Sequence, residues 1–124
     1  MTTLCMFKYY NRNPPNEKLP DCVCRAISLA TDTDYNAVME LLRENGLAND
    51  CDNICLDCYS QLLAEIGYMM RPGRGATVEE IASRHPDKRL LLRLEGHLTC
   101  CIDGVCYDIW DCTSEPVDVY WVVE

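Results

Sequence analysis

Cysteine and histidine offer the most chemistry in this chain, with ten of the first and two of the second among 124 residues. Cys22 has the most suggestive setting of the ten. Asp21 is a good N-cap residue, and Val23, Ala26, Ile27 and Ala30 carry the apolar spacing of a helix that begins at Cys22. A thiol in the first turn faces unpaired backbone N–H groups and the positive end of the helix dipole, and both favour thiolate. Residues 11–20, rich in Asn and Pro, are irregular and can leave the sulfur open. His97 follows Gly96 at the start of a predicted strand much later in the chain. A thiol on a helix start and an imidazole on a strand make a nucleophile and its base: the ring takes the thiol proton, and a third polar group holds the ring. Asp108 and Asp111 are the candidates for that third group.

The elements that must bring these residues together are legible in outline. Residues 5–10 read as a first strand. After the Cys22 helix, Tyr35, Val38, Met39 and Leu42 predict a second helix from near Thr33 that ends at Asn45-Gly46. A third helix carries Cys55, Tyr59, Leu62, Leu63 and Ile66 on one face, with Gly67 closing it. Residues 71–75 read as a loop, and Thr77 with Glu80 reads as a capping box opening a short helix that Pro86 stops. From Arg89 the pattern turns to strands: 90–94, then 96–102 and 105–111 around Asp103-Gly104, then 117–123. Helices first and an antiparallel sheet afterwards make one α+β domain spanning residues 1–124. In the hairpin, a two-residue Asp103-Gly104 turn puts His97 opposite Trp110 and Thr99 opposite Asp108, all on one face.

In order, the chain offers Asn13-Pro14, Asp21-Cys22-Val23-Cys24-Arg25-Ala26-Ile27, Gly96-His97-Leu98, Asp103-Gly104 and Tyr107-Asp108-Ile109-Trp110-Asp111. This series resembles the papain-like cysteine peptidase superfamily, and within it the bacteriocin-processing peptidases, in which Asp-Cys also opens the catalytic helix. It also looks like a small papain-like group found in phages and gut bacteria. The resemblance implies a papain-like fold, with the Cys-bearing helix packed on a C-terminal antiparallel sheet. It also implies a Cys–His–Asp/Asn triad and a peptide or protein substrate. Families of this kind keep an even number of residues between the His and its Asp or Asn, which favours Asp111. The unbulged register favours Asp108, so the expectation is Asp111 reached through a β-bulge, with Asp108 as the alternative. The Gln that such enzymes place before the Cys, to bind the oxyanion, is absent. Asn16 has the same amide chemistry on a shorter arm, and Asn13 is the other option.

Composition narrows the remaining readings. A net charge of −9 disfavours a nucleic-acid partner. No apolar run nears the ~20 residues of a membrane span, and no export signal is evident, so the expectation is a cytoplasmic protein with free thiols. On that view Cys55, Cys100 and Cys106 are buried small hydrophobes. Arg25, one turn after Cys22, is expected to pair an acidic neighbour. No cofactor is expected. A rival metal reading is a structural zinc on Cys51, Cys55 and Cys58, with Cys112, Cys5 or His85 as a fourth ligand. Three functional classes stand at this stage: a thiol hydrolase through Cys22, His97 and an aspartate; an acyltransferase using the same residues; and an inert binding module with an acidic surface.

Overall fold

The computed structural model describes residues 6–14 and 21–123. Four helices and a six-stranded mixed sheet make an α+β fold. β1 (Met6–Tyr9) leads to α1 (Cys22–Ala30), α2 (Tyr35–Asn49) and α3 (Leu56–Ile66). β2 (Met70–Pro72) and α4 (Val78–Arg84) follow, then β3 (Arg89–Leu94), β4 (His97–Ile102), β5 (Val105–Asp108) and β6 (Val119–Val122). The strand order is β1-β5-β4-β3-β6-β2. Every pairing is antiparallel except β1 with β5, so the expected antiparallel sheet is mixed. The first strand is joined to the hairpin through a long helical crossover, the kind of connection a parallel pair requires.

Alternation along the central strands divides the interior into two cores. Leu91, Leu98, Cys100 and Trp121 meet α1, α2 and α3 on one face. Leu90, Leu92, Leu94, Cys101 and Cys106 meet α4 and the stretch from Cys112 to Val117 on the other. Covering both faces explains why 90–92 is an unbroken Leu run, where a sheet with one wet face would alternate apolar and polar residues. Each fully buried Leu contributes about 1.5–3 kcal/mol relative to leaving it in water.

The local signals mostly act as their chemistry dictates. Thr77 and Glu80 form both halves of the capping box. Asp103 and Gly104 both take positive φ, 51° and 78°, as a type I′ hairpin turn needs. Four expectations fail. Gly46 does not end α2: a Cβ there would lie 2.7 Å from Asn53 Nδ2 and 2.9 Å from the Cys51 carbonyl, so the glycine permits close packing and the helix runs on to a left-handed Asp50. Met70–Pro72 form an edge strand against β6 that takes in the first two residues of the expected 71–75 loop, and Pro72 suits that edge. Cys55 is exposed at the N-cap of α3, not buried.

The fourth correction concerns the thiols. Cys51 and Cys58 are joined in a disulfide with a Cα–Cα distance of 5.6 Å, so the expectation of free thiols throughout fails at this pair. The left-handed Asp50 turns the chain back, and Asn45, donating to the Cys58 carbonyl at 3.0 Å, holds the far end. The bridge also removes two of the three thiols of the zinc reading, leaving only Cys55 free. No helix among the described residues is long and apolar enough to cross a membrane.

Candidate active site

Cys22 starts α1, and its half-buried thiol stands by the ring of His97 and the backbone N–H of Leu98, both of which favour its thiolate. His97 starts β4, and its Nε2 lies 2.7 Å from Asp108 Oδ2. With Nε2 engaged by the carboxylate, Nδ1 is the nitrogen left to face the thiol. Asp108 ends β5, buried, and its Oδ1 accepts from the Ile109 backbone N–H at 2.7 Å. That side-chain-to-backbone bond takes the next N–H out of the ladder and stops the strand at Asp108.

Asp111, the carboxylate expected beside His97, does not reach the ring, and Asp108 stands there instead. The hairpin pairs Cys100 with Tyr107, Cys101 with Cys106 and Ile102 with Val105, with no bulge. Asp111 is exposed, and its Oδ1 instead accepts from the Thr113 N–H and hydroxyl, at 3.1 and 2.6 Å. Asn16 lies outside the described residues. Asn13 does not serve as an oxyanion donor in this arrangement. It is buried at 3% exposure, and its amide nitrogen donates to Asp21 Oδ2 at 3.0 Å and to Tyr35 at 3.4 Å.

Sequence reasoning missed the depth of the charge network behind the triad. The Asp21 carboxylate does not cap α1 but turns inward, where it receives Arg25, the Tyr35 hydroxyl and Asn13. Arg25 also reaches Asp108, Nη2 to Oδ1 at 3.7 Å. The spacing of Asp21 and Arg25, one helical turn apart, was the available signal for the first pair. Nothing local announces the second.

The electrostatics follow from these contacts. Burial pushes the Cys22 thiol up, but the hydrogen bonds from His97 and Leu98 and the charges of His97 and Arg25 outweigh it, so its pKa is lowered. Burial opposes charge on His97 too, yet Asp108 and Cys22 raise its pKa to about 9. Asp108 resists burial in the same way and is held below its ordinary value by His97, Thr99 and the Ile109 N–H. All three directions favour a thiolate–imidazolium pair over the neutral pair. Cys24 is the contrast: it is buried, its pKa is raised to about 12 by burial and by Asp21, and its sulfur donates to the Tyr35 carbonyl.

The triad opens into a cleft of about 630 Å³. The loop and first turn of α3 (Ile54, Cys55, Leu56, Asp57) form one wall, and Gly96, Ile109 and Trp110 form the other. The indole of Trp110 packs beside His97 at a tilt, ring centroids 5.2 Å apart. On the far side, Cys112 Sγ stands 3.9 Å from Asp108 Oδ2 and 3.8 Å from Cys106 Sγ. His97, Asp108 and Cys112 bring ligand atoms within 4.8 Å of one another, so a soft divalent ion there would compete with the triad for its base. Chemically, the arrangement can supply a sulfur nucleophile biased toward the thiolate, a proton carrier held by a carboxylate and an apolar cleft beside them. Known protein families, curated proteins and solved structures return no match to this chain.

Proposed function

We propose that the chain is a thiol hydrolase, a cysteine peptidase or related amide or isopeptide hydrolase of papain-like arrangement, acting on a peptide or protein. One observation carries the reading: Cys22 and His97 line one cleft, and Nε2 of that imidazole is 2.7 Å from a buried carboxylate. The Cys-bearing helix lies on the strand that carries the histidine, with the aspartate on the next strand, as the sequence resemblance implies.

The Cys22 thiolate attacks the scissile carbonyl carbon, and the C–O π pair moves to oxygen. The oxyanion lies against the first-turn N–H groups of α1, where the helix dipole favours negative charge. The imidazolium of His97 gives its proton to the departing amine as the C–N bond breaks, leaving a thioester on Cys22. Neutral His97 then takes a proton from water, the hydroxide adds to the thioester, and the acid product leaves as the thiolate and imidazolium re-form. Asp108 holds the tautomer with the proton on Nε2 and stabilises the imidazolium throughout. An inert binding module gives no reason to retain this network, because buried ion pairs can often be replaced by apolar side chains without loss of stability.

The test is alkylation by iodoacetamide at pH 6, read by peptide mapping, with exposed Cys55 as the internal reference. Cys22 reacts faster than Cys55 there if it is a thiolate. Slower reaction at Cys22 than at Cys55 overturns the proposal.

A further inference from the structure

We infer that this cleft selects substrates carrying a carboxylate close to the scissile bond, and that Arg93 receives it. The inference rests on the hydrolase reading and names the substrate class of the same site. Arg93 lines the cleft together with Cys22 and His97. It stands on β3 directly across from Leu98, the residue whose backbone N–H holds the Cys22 sulfur. Its guanidinium therefore belongs to the wall beside the nucleophile.

What sets Arg93 apart from Arg25, which also lines the cleft, is the neutrality of its partners. Its Nε donates to the Leu94 carbonyl at 2.7 Å, and Nη1 donates to the Tyr59 hydroxyl at 3.3 Å. Tyr59 stays a neutral phenol, because burial pushes its pKa up to about 12. Arg25 and Arg43 each pair with a carboxylate, but Arg93 has no ion pair among the described residues. Asp118, beside its cross-strand partner Val119, is exposed and makes none with it. In a chain with 20 acidic and 11 basic side chains, an arginine in a large cleft without an acidic partner is conspicuous. The two bonds to Leu94 and Tyr59 fix the orientation of the planar fork, and Nη2 donates to none of the described residues. A fixed guanidinium with free N–H groups is suited to a carboxylate oxygen. Arg25, the other arginine of the cleft, is already occupied by Asp21 and Asp108. Asp57 faces the site from the α3 wall and disfavours an acid placed on that side.

The experiment measures labelling rates of Cys22 by epoxysuccinyl peptide amides that differ only in Glu against Gln. A second arm compares peptides ending in a free carboxylate with their carboxamides. The expected acid-to-amide ratio in the wild type is about 10–100, the range for a charge-assisted hydrogen bond. It falls to about 1 in Arg93→Gln and recovers in part in Arg93→Lys. The arm that carries the effect identifies the source as an acidic side chain or a chain terminus. Because each ratio is taken within one variant, a general loss of folded protein cancels. A wild-type ratio near one in both arms overturns the inference, as does a ratio that Arg93→Gln leaves unchanged. Failure of Cys22 to react even with iodoacetamide removes the hydrolase reading, and this inference with it.

Discussion

Replacing Asp108 by Asn tests the site most sharply, because the side chain keeps its shape while its hydrogen-bond pattern changes. Oδ1 of Asp108 receives the Ile109 N–H and faces Arg25, while Oδ2 receives His97. An amide cannot serve both sides. With its oxygen toward Ile109 and Arg25, its NH2 faces His97 and forces the proton onto Nδ1, where the ring can no longer accept the thiol proton. With its oxygen toward His97, its NH2 meets two donors. The lost attraction can also be sized. Unit charges about 4 Å apart at an effective dielectric near 20 interact by about 4 kcal/mol, and a hydrogen bond to a charged group is worth about 1.5–3 kcal/mol net. Taking the smaller range, we expect the iodoacetamide rate of Cys22 at pH 6 to fall about 10–150-fold. The two proteins should converge well above pH 9, where the thiol ionises without help from the imidazolium. Turnover, which needs the ring to move a proton as well, should fall at least as far. Asp111→Asn should change neither rate more than about twofold, since it only loosens a turn at Thr113. An Asp108→Asn protein with an unchanged pH profile, or an Asp111→Asn protein with the larger loss, would refute the assignment.

Arg25→Met leaves Asp21 and Asp108 facing each other without their shared cation, so it should cost about 3–5 kcal/mol. Thermal melts should fall by roughly 10–20 °C, and a loss under 3 °C would mean the network contributes little. Cys24→Ala should leave the alkylation rate of Cys22 within about twofold, because its sulfur faces the Tyr35 carbonyl and carries no site contact. Denatured, non-reduced protein should titrate no more than eight of its ten thiols, given the Cys51–Cys58 bond. Cys51→Ser with Cys58→Ser should lower stability by about 2 kcal/mol, the loop-closure value for so short a span.

How much of this was legible beforehand differs from residue to residue. Cys22 and His97 were readable because each rests on a local rule, a helix start and a strand start after glycine. Asp108 was also readable, since the Asp103-Gly104 turn sets a register that puts it on the face of His97, and the pairing keeps that register with no bulge. Parity borrowed from the families the chain resembles pointed past it to Asp111. The structure answers with a strand that ends on Asp108 through its own side chain. The Cys51–Cys58 bond was not readable, because three thiols in eight residues suit a metal as well as a bridge. The choice is made by the left-handed turn at Asp50, which the local sequence does not announce. Arg93 was hidden within the Leu-rich β3, where the helix-facing side is recognisable only once the neighbouring strands are in place.

The charge count of the buried network explains why its members come from so many parts of the chain. Asp21 and Asp108 as carboxylates balance Arg25 and a protonated His97, leaving the Cys22 thiolate as the one unmatched charge. That charge falls at the start of α1, where the helix dipole and the Leu98 N–H stabilise it. Removing either carboxylate would leave Arg25 and His97 balanced only by the other carboxylate and the Cys22 thiolate, and the proton on His97 would be the easiest one to give up. Tyr35 from α2 and Asn13 from before the helix both donate to Asp21, which commits that carboxylate to Arg25. Arg25 is then held toward Asp108, and Asp108 toward His97. Two residues bonded to Asp21 and not to His97 thus help to set whether that imidazole is charged.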